Sequence, residues 1–424
     1  MWLNFQNTKK FYLNKELLFI FLLYLSLLIS FFLGENSTGG AIVDYGTNKS
    51  IISKFAEKFK QTFFDFDSLS TRHSPIFLIF LSLLEQLNLS DVIIRLIHLH
   101  MCLFLPYLFY KILRIKFINT KKEILILLMG IIFLSPTFRS LSIWPDSRLF
   151  GLTFFTLSIL FFLKFKQNHN FKYVIYNILA CALSAYLSPN FSVFSLYFFS
   201  YYIKIFNLLS KRIIYISLLN ILIALPAIYY IFILDINFLN KTAATNYNNT
   251  DRIFFNNIFN DILITFTIFF FYLIPFYVVK IIKISKVLNI SSITFSIILF
   301  ILSVYFFNYK YIYSGGGIFF KISNNFFDNN LFFYLIGFFS IFFIIPNLLA
   351  DKKNNLLLFV LIILNNPQYT IYHKYFDPFL IILFFSLFNF EISLKDRKHK
   401  NFVLIYSYFF VFLIINNIKY IWIS

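Results

Sequence analysis

The sequence predicts an all-α, polytopic integral membrane protein. Of its 424 residues, 59% are hydrophobic and only 13% are charged, about half the charged fraction of an ordinary soluble domain. Apolar runs recur along the whole chain, many of them close to the ~20 residues that cross a bilayer as a helix. The runs are continuous rather than alternating at period two, which argues against a membrane β-barrel. The 65 phenylalanines stand beside only 10 glycines, 10 prolines and 3 tryptophans. They read as compositional bias filling lipid-facing positions, not as binding stripes.

The runs fall at 16–33, 92–113, 123–138, 148–163, 173–187, 190–206, 213–234, 259–279, 288–307, 331–349, 356–368, 378–390 and 402–421, about thirteen transmembrane helices. The first follows a lysine-bearing N-terminus, as a signal sequence would. No small-residue cleavage site follows it, so it reads as a retained membrane helix. Alternating the joints from a cytoplasmic N-terminus puts Lys9, Lys10 and Lys15, then Lys111, Arg114, Lys116, Lys121 and Lys122, then Lys164, Lys166 and Lys172 on the inner side. Lys204, Lys211 and Arg212 follow there, then Lys280, Lys283 and Lys286, then Lys352 and Lys353, and finally Lys395, Arg397, Lys398 and Lys400. Every inner joint is basic, as the positive-inside rule asks. This topology accounts for the net charge of +19 without a nucleic-acid partner. It places the N-terminus in the cytoplasm and the C-terminus in the periplasm of a bacterial inner membrane. Residues 1–424 read as a single transmembrane domain with no soluble C-terminal domain. Run 356–368 is short, and losing it would invert everything after it. Cys102 and Cys181 lie inside apolar runs, so neither disulfides nor cysteine-bound metals are indicated.

The long polar segments all fall on the outer side. The first periplasmic loop, 34–74, holds Glu35, Asp44, Glu57, Asp65, Asp67, Arg72 and His73, and long loops in compact proteins are usually functional or disordered. Within it Ile51, Ile52, Phe55, Phe59 and Phe63 fall at helical spacing, with Lys49, Lys54, Lys58 and Lys60 mostly off that stripe. This predicts an amphipathic helix in the headgroup layer. Residues 75–88 are apolar but too short to span, which predicts a second interfacial helix. Other outer segments are 139–147, the Asn-rich 235–258, 308–330 with Gly315-Gly316-Gly317, and 365–377, which reads NNPQYTIYHKYFD.

Four constellations are candidates for chemistry. Asp44, in GGAIVDYG, is either a general base beside the membrane or a solvated loop acid or helix cap. A positioned base contributes on the order of 10²–10⁴ in rate. Arg72-His73-Ser74-Pro75 opens the interfacial helix, with Pro suited to a helix start and the basic pair facing either a phosphate or water. In FLSPTFRSLSIWPDSRLF, residues 133–150, Arg139, Asp146 and Arg148 share an outer corner. Charges this near the bilayer are costly unless used or paired, so they form either an anion site or a structural Arg139–Asp146 or Asp146–Arg148 pair. In YHKYFDP, residues 372–378, Lys374 and His373 are candidates to hold an anion, and Tyr375 fits an interfacial aromatic belt. The triple glycine, flanked by Lys310 and Lys321, reads as a flexible stretch or an anion nest. Arg95, His98 and His100 cluster in sequence, but the two histidines at i and i+2 lie on different helix faces. No metal site is expected from them.

The order of these features resembles the GT-C superfamily of membrane glycosyltransferases, nearest to the protein O-mannosyltransferase and aminoarabinose-transferase-like enzymes. The resemblance rests on an acidic residue in the first outer loop (Asp44) and on His73-Ser74-Pro75 leading into IFLIFLSLLEQL. It continues with Asp91-Val92-Ile93-Ile94-Arg95 opening the second span, Ser135-Pro136 and the corner Arg139 to Arg148, and the late Lys374-Tyr375-Phe376-Asp377-Pro378. The chain departs from the family where Tyr45 follows Asp44 in place of a second acid, where Ser74 replaces a proline, and where Lys374 replaces an arginine. The resemblance implies a transferase moving a sugar from a polyprenyl-phosphate donor to a glycan or lipid acceptor at the outer membrane face, with inversion. Asp44 would be the general base. Arg72, His73, Arg139, Arg148 and Lys374 would bind the donor phosphate, supported by Asp146, Tyr375 and Arg95. The superfamily admits a divalent metal, although no oxygen-ligand cluster stands out. Rival expectations are an O-antigen-type polymerase or ligase, which usually places its large loop late in the chain, and a lipid-linked oligosaccharide flippase or other transporter, which needs polar residues along the middles of several spans.

Overall fold

A computed structural model describes residues 15–69, 71, 73–236, 257–283, 290–310, 315–366, 370–394 and 399–423. Among these residues the chain is helical throughout, with isolated bridges as its only β-pairing. The chain runs through α1 (Lys15–Leu33), α2 (Ala41–Glu57), α3 (Phe59–Phe64), α4 (Pro75–Gln86), α5 (Asp91–Cys102) and α6 (Phe104–Lys116). It continues through α7 (Lys122–Gly130), α8 (Pro136–Ile143), α9 (Ser147–Asn168), α10 (Lys172–Leu187), α11 (Ser195–Phe206) and α12 (Lys211–Ile228). The second half comprises α13 (Ile258–Val278), α14 (Ile290–Tyr305), α15 (Gly317–Phe327), α16 (Leu331–Ala350), α17 (Leu357–Leu364), α18 (Phe379–Ser386) and α19 (His399–Ile423).

Among the described residues seven helical stretches are long and apolar enough to cross a membrane, or eight if the bent pair α7–α8 counts as one span. The seven coincide with seven of the thirteen expected runs, and the bent pair with an eighth. The remaining five runs form shorter helices. At 1.5 Å per residue, the 16-residue α10 and α14 reach about 24 Å, short of the ~30 Å hydrocarbon core. The bend between α7 and α8 is 65° and falls at Ser135-Pro136. Pro136 cannot donate to the preceding turn, while the Ser135 hydroxyl caps the new helix by accepting from Phe138 N at 2.9 Å.

α9 and α13 are mostly buried, whereas α12 is mostly exposed, so the first two form the centre and the last presents its apolar side chains outward. Helices approach closely where residues are small, the usual basis of association in lipid. A Cβ built on Gly151 of α9 would lie 2.6 Å from Ser188 Cβ, and in that contact Ser184 Oγ donates to Gly151 O at 2.7 Å. Cys102 and Cys181 are buried free thiols.

The expected amphipathic helix is present but starts earlier and is broken. α2 begins at Ala41, which takes Asp44 into its first turn, and the chain kinks at Lys58 before α3. Ile51, Ile52 and Phe55 are buried while Phe59 is exposed, because the break swings the second half of the stripe away. The early start has a tertiary cause. Asn36 Oδ1 accepts from Ala41 N at 3.0 Å, and Ser37 and Thr38 are both tied to Ser140 of α8 at 2.9 and 3.0 Å. The second interfacial helix is α4, with Pro75 at its first position, and it packs against α2.

Candidate active site

The N-terminal end of α9 is where the sequence-distant candidates converge. Asp146 caps α9, its Oδ1 accepting from Arg148 N at 2.7 Å. The same carboxylate takes Arg148 in a two-pronged pair, Nε to Oδ1 at 3.1 Å and Nη2 to Oδ2 at 3.0 Å. The guanidinium thus sits over the first turn of α9 and lies 5.0 Å from the ring centre of Tyr375. From α2, Asp44 brings its Oδ2 to 3.7 Å from Arg148 Nη2 and 3.4 Å from Lys374 Nζ. Asp44 retains 38% side-chain exposure and Arg148 and Lys374 21% each, while Asp146 keeps 2%. The group is therefore an ion cluster anchored on a buried acid and open toward Asp44. Gly40 lies against it, since a Cβ there would sit 3.7 Å from Lys374 Nζ and 3.9 Å from Asp44 Oδ2.

Each arm is held by its own set of bonds. α2 is tied to the start of α5 where Tyr45 donates to Asp91 Oδ1 at 2.8 Å and Lys49 pairs with the same oxygen at 3.0 Å. Lys374 stands on a short 3-10 turn, His373–Tyr375. The triple glycine supplies the backing for that turn: Gly315 bridges to Tyr372, and Gly316 N donates to Ile371 O at 2.9 Å. Gly316 and Gly317 have φ of +84° and +77°, open to glycine without strain. The segment expected as a flexible stretch or nest is thus a backbone clamp on the Lys374 turn. On the other side, Asp377 Oδ2 accepts from Ser135 Oγ at 2.6 Å and Thr137 N at 3.0 Å, and Tyr272 Oη is 2.9 Å from His373 Nε2.

The electrostatics follow from burial and crowding. Burial pushes the Lys374 ammonium below the usual lysine range, and Arg148 adds to the effect against the pull of Asp44. Burial acts to raise Asp146, but Arg148 and His73 outweigh it and hold the carboxyl below its ordinary range. Burial also lowers His73 against the pull of Asp146, and its Nδ1 lies 3.1 Å from Ser147 Oγ. Asp377 is pushed up by burial in spite of its hydrogen bonds from Ser135 and Thr137.

Of the residues expected at the site, the structure brings together Asp44, Arg148, Lys374, Asp146 and Tyr375, with His73 one hydrogen bond away through Ser147. Arg72 lies outside the described residues. Arg139 is a correction. Its Nε donates to both Glu35 oxygens at 3.0 and 2.9 Å, and its terminal nitrogens bond Ser26, Ser30 and Phe133 O. A guanidinium has five N–H donors, and these partners leave none for a phosphate. The pairing considered for Asp146 is with Arg148, and Arg139 pairs with Glu35 instead. Arg95 stands behind the site, donating to Ile143 O at 3.0 Å and stacked 3.6 Å over Trp144, whose Nε1 donates to Glu35 O at 3.0 Å. His98 bonds Leu141 O and His100 faces Tyr24, so the two point apart. A divalent metal does not fit the cluster, because both Asp146 oxygens are taken by Arg148 and Asp44 Oδ2 already faces two cations, Arg148 and Lys374. Among the described residues no three His, Cys, Asp or Glu side chains gather as ligands.

Two openings flank the cluster. A polar cleft of about 430 Å³, its mouth included, runs beneath Arg148 and Lys374. A larger apolar cleft of about 1700 Å³, its mouth likewise included, lies between α4, α10 and α12, lined among others by Phe63, Pro75, Ala185, Pro226 and Tyr230. Ser74 lines it too, and follows directly on His73. Neither opening was legible in the sequence, since each is assembled from helices far apart in the chain. No protein-family model, curated protein or solved structure matches this chain.

Proposed function

We propose that the chain is a membrane glycosyltransferase that moves a sugar from a polyprenyl-phosphate donor to a glycan or lipid acceptor. The observation that carries this reading is one carboxylate, Asp44, meeting two cations from distant segments, Arg148 and Lys374, beside an apolar cleft. A lipid phosphate needs all three features: positive groups for the phosphate, an apolar channel for the chain, and a base at the reacting end. In the reading, the donor phosphate takes over Arg148 and Lys374, which releases Asp44 from its cationic partners. Asp44 then accepts the proton of the acceptor hydroxyl as that oxygen bonds to the anomeric carbon. The bond from that carbon to the phosphate oxygen breaks, the configuration inverts, and polyprenyl phosphate leaves with its charge on Arg148 and Lys374. Cations preorganised around a developing anion are the strongest kind of catalytic device in a water-poor site.

The reading includes a GT-C-like layout with thirteen membrane crossings, the short helices completing spans within the bundle. It sets Asp44 at the outer face of a bacterial inner membrane, the N-terminus in the cytoplasm and the C-terminus in the periplasm. Interior placement of short or irregular helices is compatible with lipid only where protein covers their backbone, as it does for α17 and α18, which are largely buried. The test is turnover of a polyprenyl-phosphate sugar, radiolabelled in the sugar, by the full chain in proteoliposomes. Release of polyprenyl phosphate with transfer of label supports the reading; movement of the intact donor across the bilayer without bond cleavage rejects it in favour of a transporter.

A further inference from the structure

The polar cleft beneath Arg148 and Lys374 has a second end, made by residues that the ion cluster does not use. Asn365 and Asn366, at the C-terminal end of α17, are 3% and 4% exposed and line it together with Ser188 and Asn190. Asn190 Nδ2 lies 3.5 Å from Asn366 Oδ1, which occupies the oxygen side of that amide and leaves its nitrogen facing away from Asn190. That Nδ2 has no hydrogen-bond partner among the described residues, and neither has Asn365 Oδ1. Two consecutive residues on the wall of a cleft that also holds two cations thus carry one buried open donor and one buried open acceptor. Buried polar groups are nearly always satisfied, so an unmatched pair facing a cleft marks the place of a missing partner.

The chemistry of that partner follows from the charges. The Asn end carries no cation, and the carboxylates near the cleft are committed: Asp377 to Ser135 and Thr137, Asp146 to Arg148. Among the residues lining the cleft the carboxylate is Asp377, so an ammonium group at the Asn end would meet only an acid already bonded to Ser135 and Thr137. A hydroxyl both donates and accepts, so two neighbouring hydroxyls match an open amide N–H beside an open amide oxygen. The space open to hydroxyl-sized groups totals about 40 Å³ over the whole cleft, which admits the hydroxyl-bearing edge of a ring while the rest lies in the mouth.

We propose that Asn365 and Asn366 form the sugar subsite of the donor and select an uncharged sugar by two adjacent hydroxyls. This rests on the function proposed above, because the phosphate on Arg148 and Lys374 is what delivers the ring to the asparagines. The test uses full-length protein in nanodiscs and competition binding with four probes: polyprenyl phosphate alone, and polyprenyl phosphate carrying a neutral hexose, an amino-pentose or a uronic acid. The neutral-hexose probe should bind at least tenfold more tightly than the bare phosphate, and the two charged-sugar probes should show no such gain. The double variant Asn365→Leu, Asn366→Leu should lose the tenfold gain and keep its affinity for bare polyprenyl phosphate within threefold. Where that variant fails to fold, the four-probe series on the unaltered protein decides alone. Equal binding of bare and hexose-bearing phosphate, or tighter binding of the amino-sugar probe, overturns the subsite while leaving the donor site standing. Failure of every probe to bind overturns both.

Discussion

Replacing Asp44 by asparagine should separate two quantities that usually move together. In the reading above, Asp44 is at once the base of the reaction and a resident anion occupying the cations meant for the donor phosphate. Its Oδ2 lies 3.4 Å from Lys374 Nζ and 3.7 Å from Arg148 Nη2. With 38% of its side chain exposed, each contact has the strength of a solvent-screened ion pair, about 0.2–1 kcal/mol. Asp44→Asn removes both, about 0.4–2 kcal/mol of competition, and each 1.4 kcal/mol is tenfold in affinity. Polyprenyl phosphate should therefore bind roughly 2- to 30-fold more tightly to the variant. Turnover should fall on the order of 10²–10⁴-fold, the usual contribution of a positioned base. Asparagine has nearly the same shape, so the fold provides no competing explanation. The assay is lipid binding in nanodiscs alongside label transfer in proteoliposomes, both on the full chain. Weaker phosphate binding by the variant would refute the idea that Asp44 and the phosphate share one position. Turnover within threefold of the unaltered protein would refute its role as base.

Three further outcomes follow from the geometry. Arg139→Met should destabilise the protein by about 3–5 kcal/mol, because Glu35 is left as an uncompensated buried acid; Arg139→Met with Glu35→Met should recover most of that in a thermal melt, with little change in phosphate affinity in either variant. Gly315→Ala would set a methyl 2.1 Å from Tyr309 Oη and 3.0 Å from Thr370 Cγ2, an overpacking worth about 1–3 kcal/mol; melting temperature and phosphate affinity should drop together, since the same clamp positions the Lys374 turn. Lys374 is held below the usual lysine range by burial and by Arg148, so its charge is present at low pH and lost as pH rises through that depressed value. Phosphate affinity should decline on the alkaline side below the ~10.4 of a free lysine, and Lys374→Arg should extend the plateau to higher pH.

The helices were largely legible in the sequence because lipid imposes one rule everywhere: a continuous apolar run has to satisfy its own backbone. Where the rule was insufficient, a tertiary contact decided. α2 begins at Ala41 rather than later because Asn36 accepts from Ala41 N while Ser37 and Thr38 are anchored to Ser140 more than a hundred positions away, and that early start puts Asp44 on a rigid element instead of a loop. The breaks that shorten several expected spans are similarly local, such as the 65° bend at Ser135-Pro136.

The candidate site was legible only as charges, not as partners. Asp44, Asp146, Arg148 and Lys374 stood out because an ionisable side chain near lipid is costly, and cost alone says that a charge is used without saying by what. Arg139 met that criterion as well as Arg148 did, yet the two differ completely in what remains free. Arg139 spends all its donors inside the fold, while Arg148 is anchored by Asp146 on one side and keeps a face toward Asp44 and the cleft. The difference depends on Glu35 reaching α8, a contact that no spacing rule contains. The asparagines were hidden for the opposite reason. In a chain this rich in Asn, a neutral amide in the segment 365–377 carries no compositional signal. Asn365 and Asn366 become informative only when burial makes an unpaired amide expensive, and the cleft then supplies the reason to keep it. In this chain the buried polar groups left open therefore say more about what the cleft holds than the charged groups do.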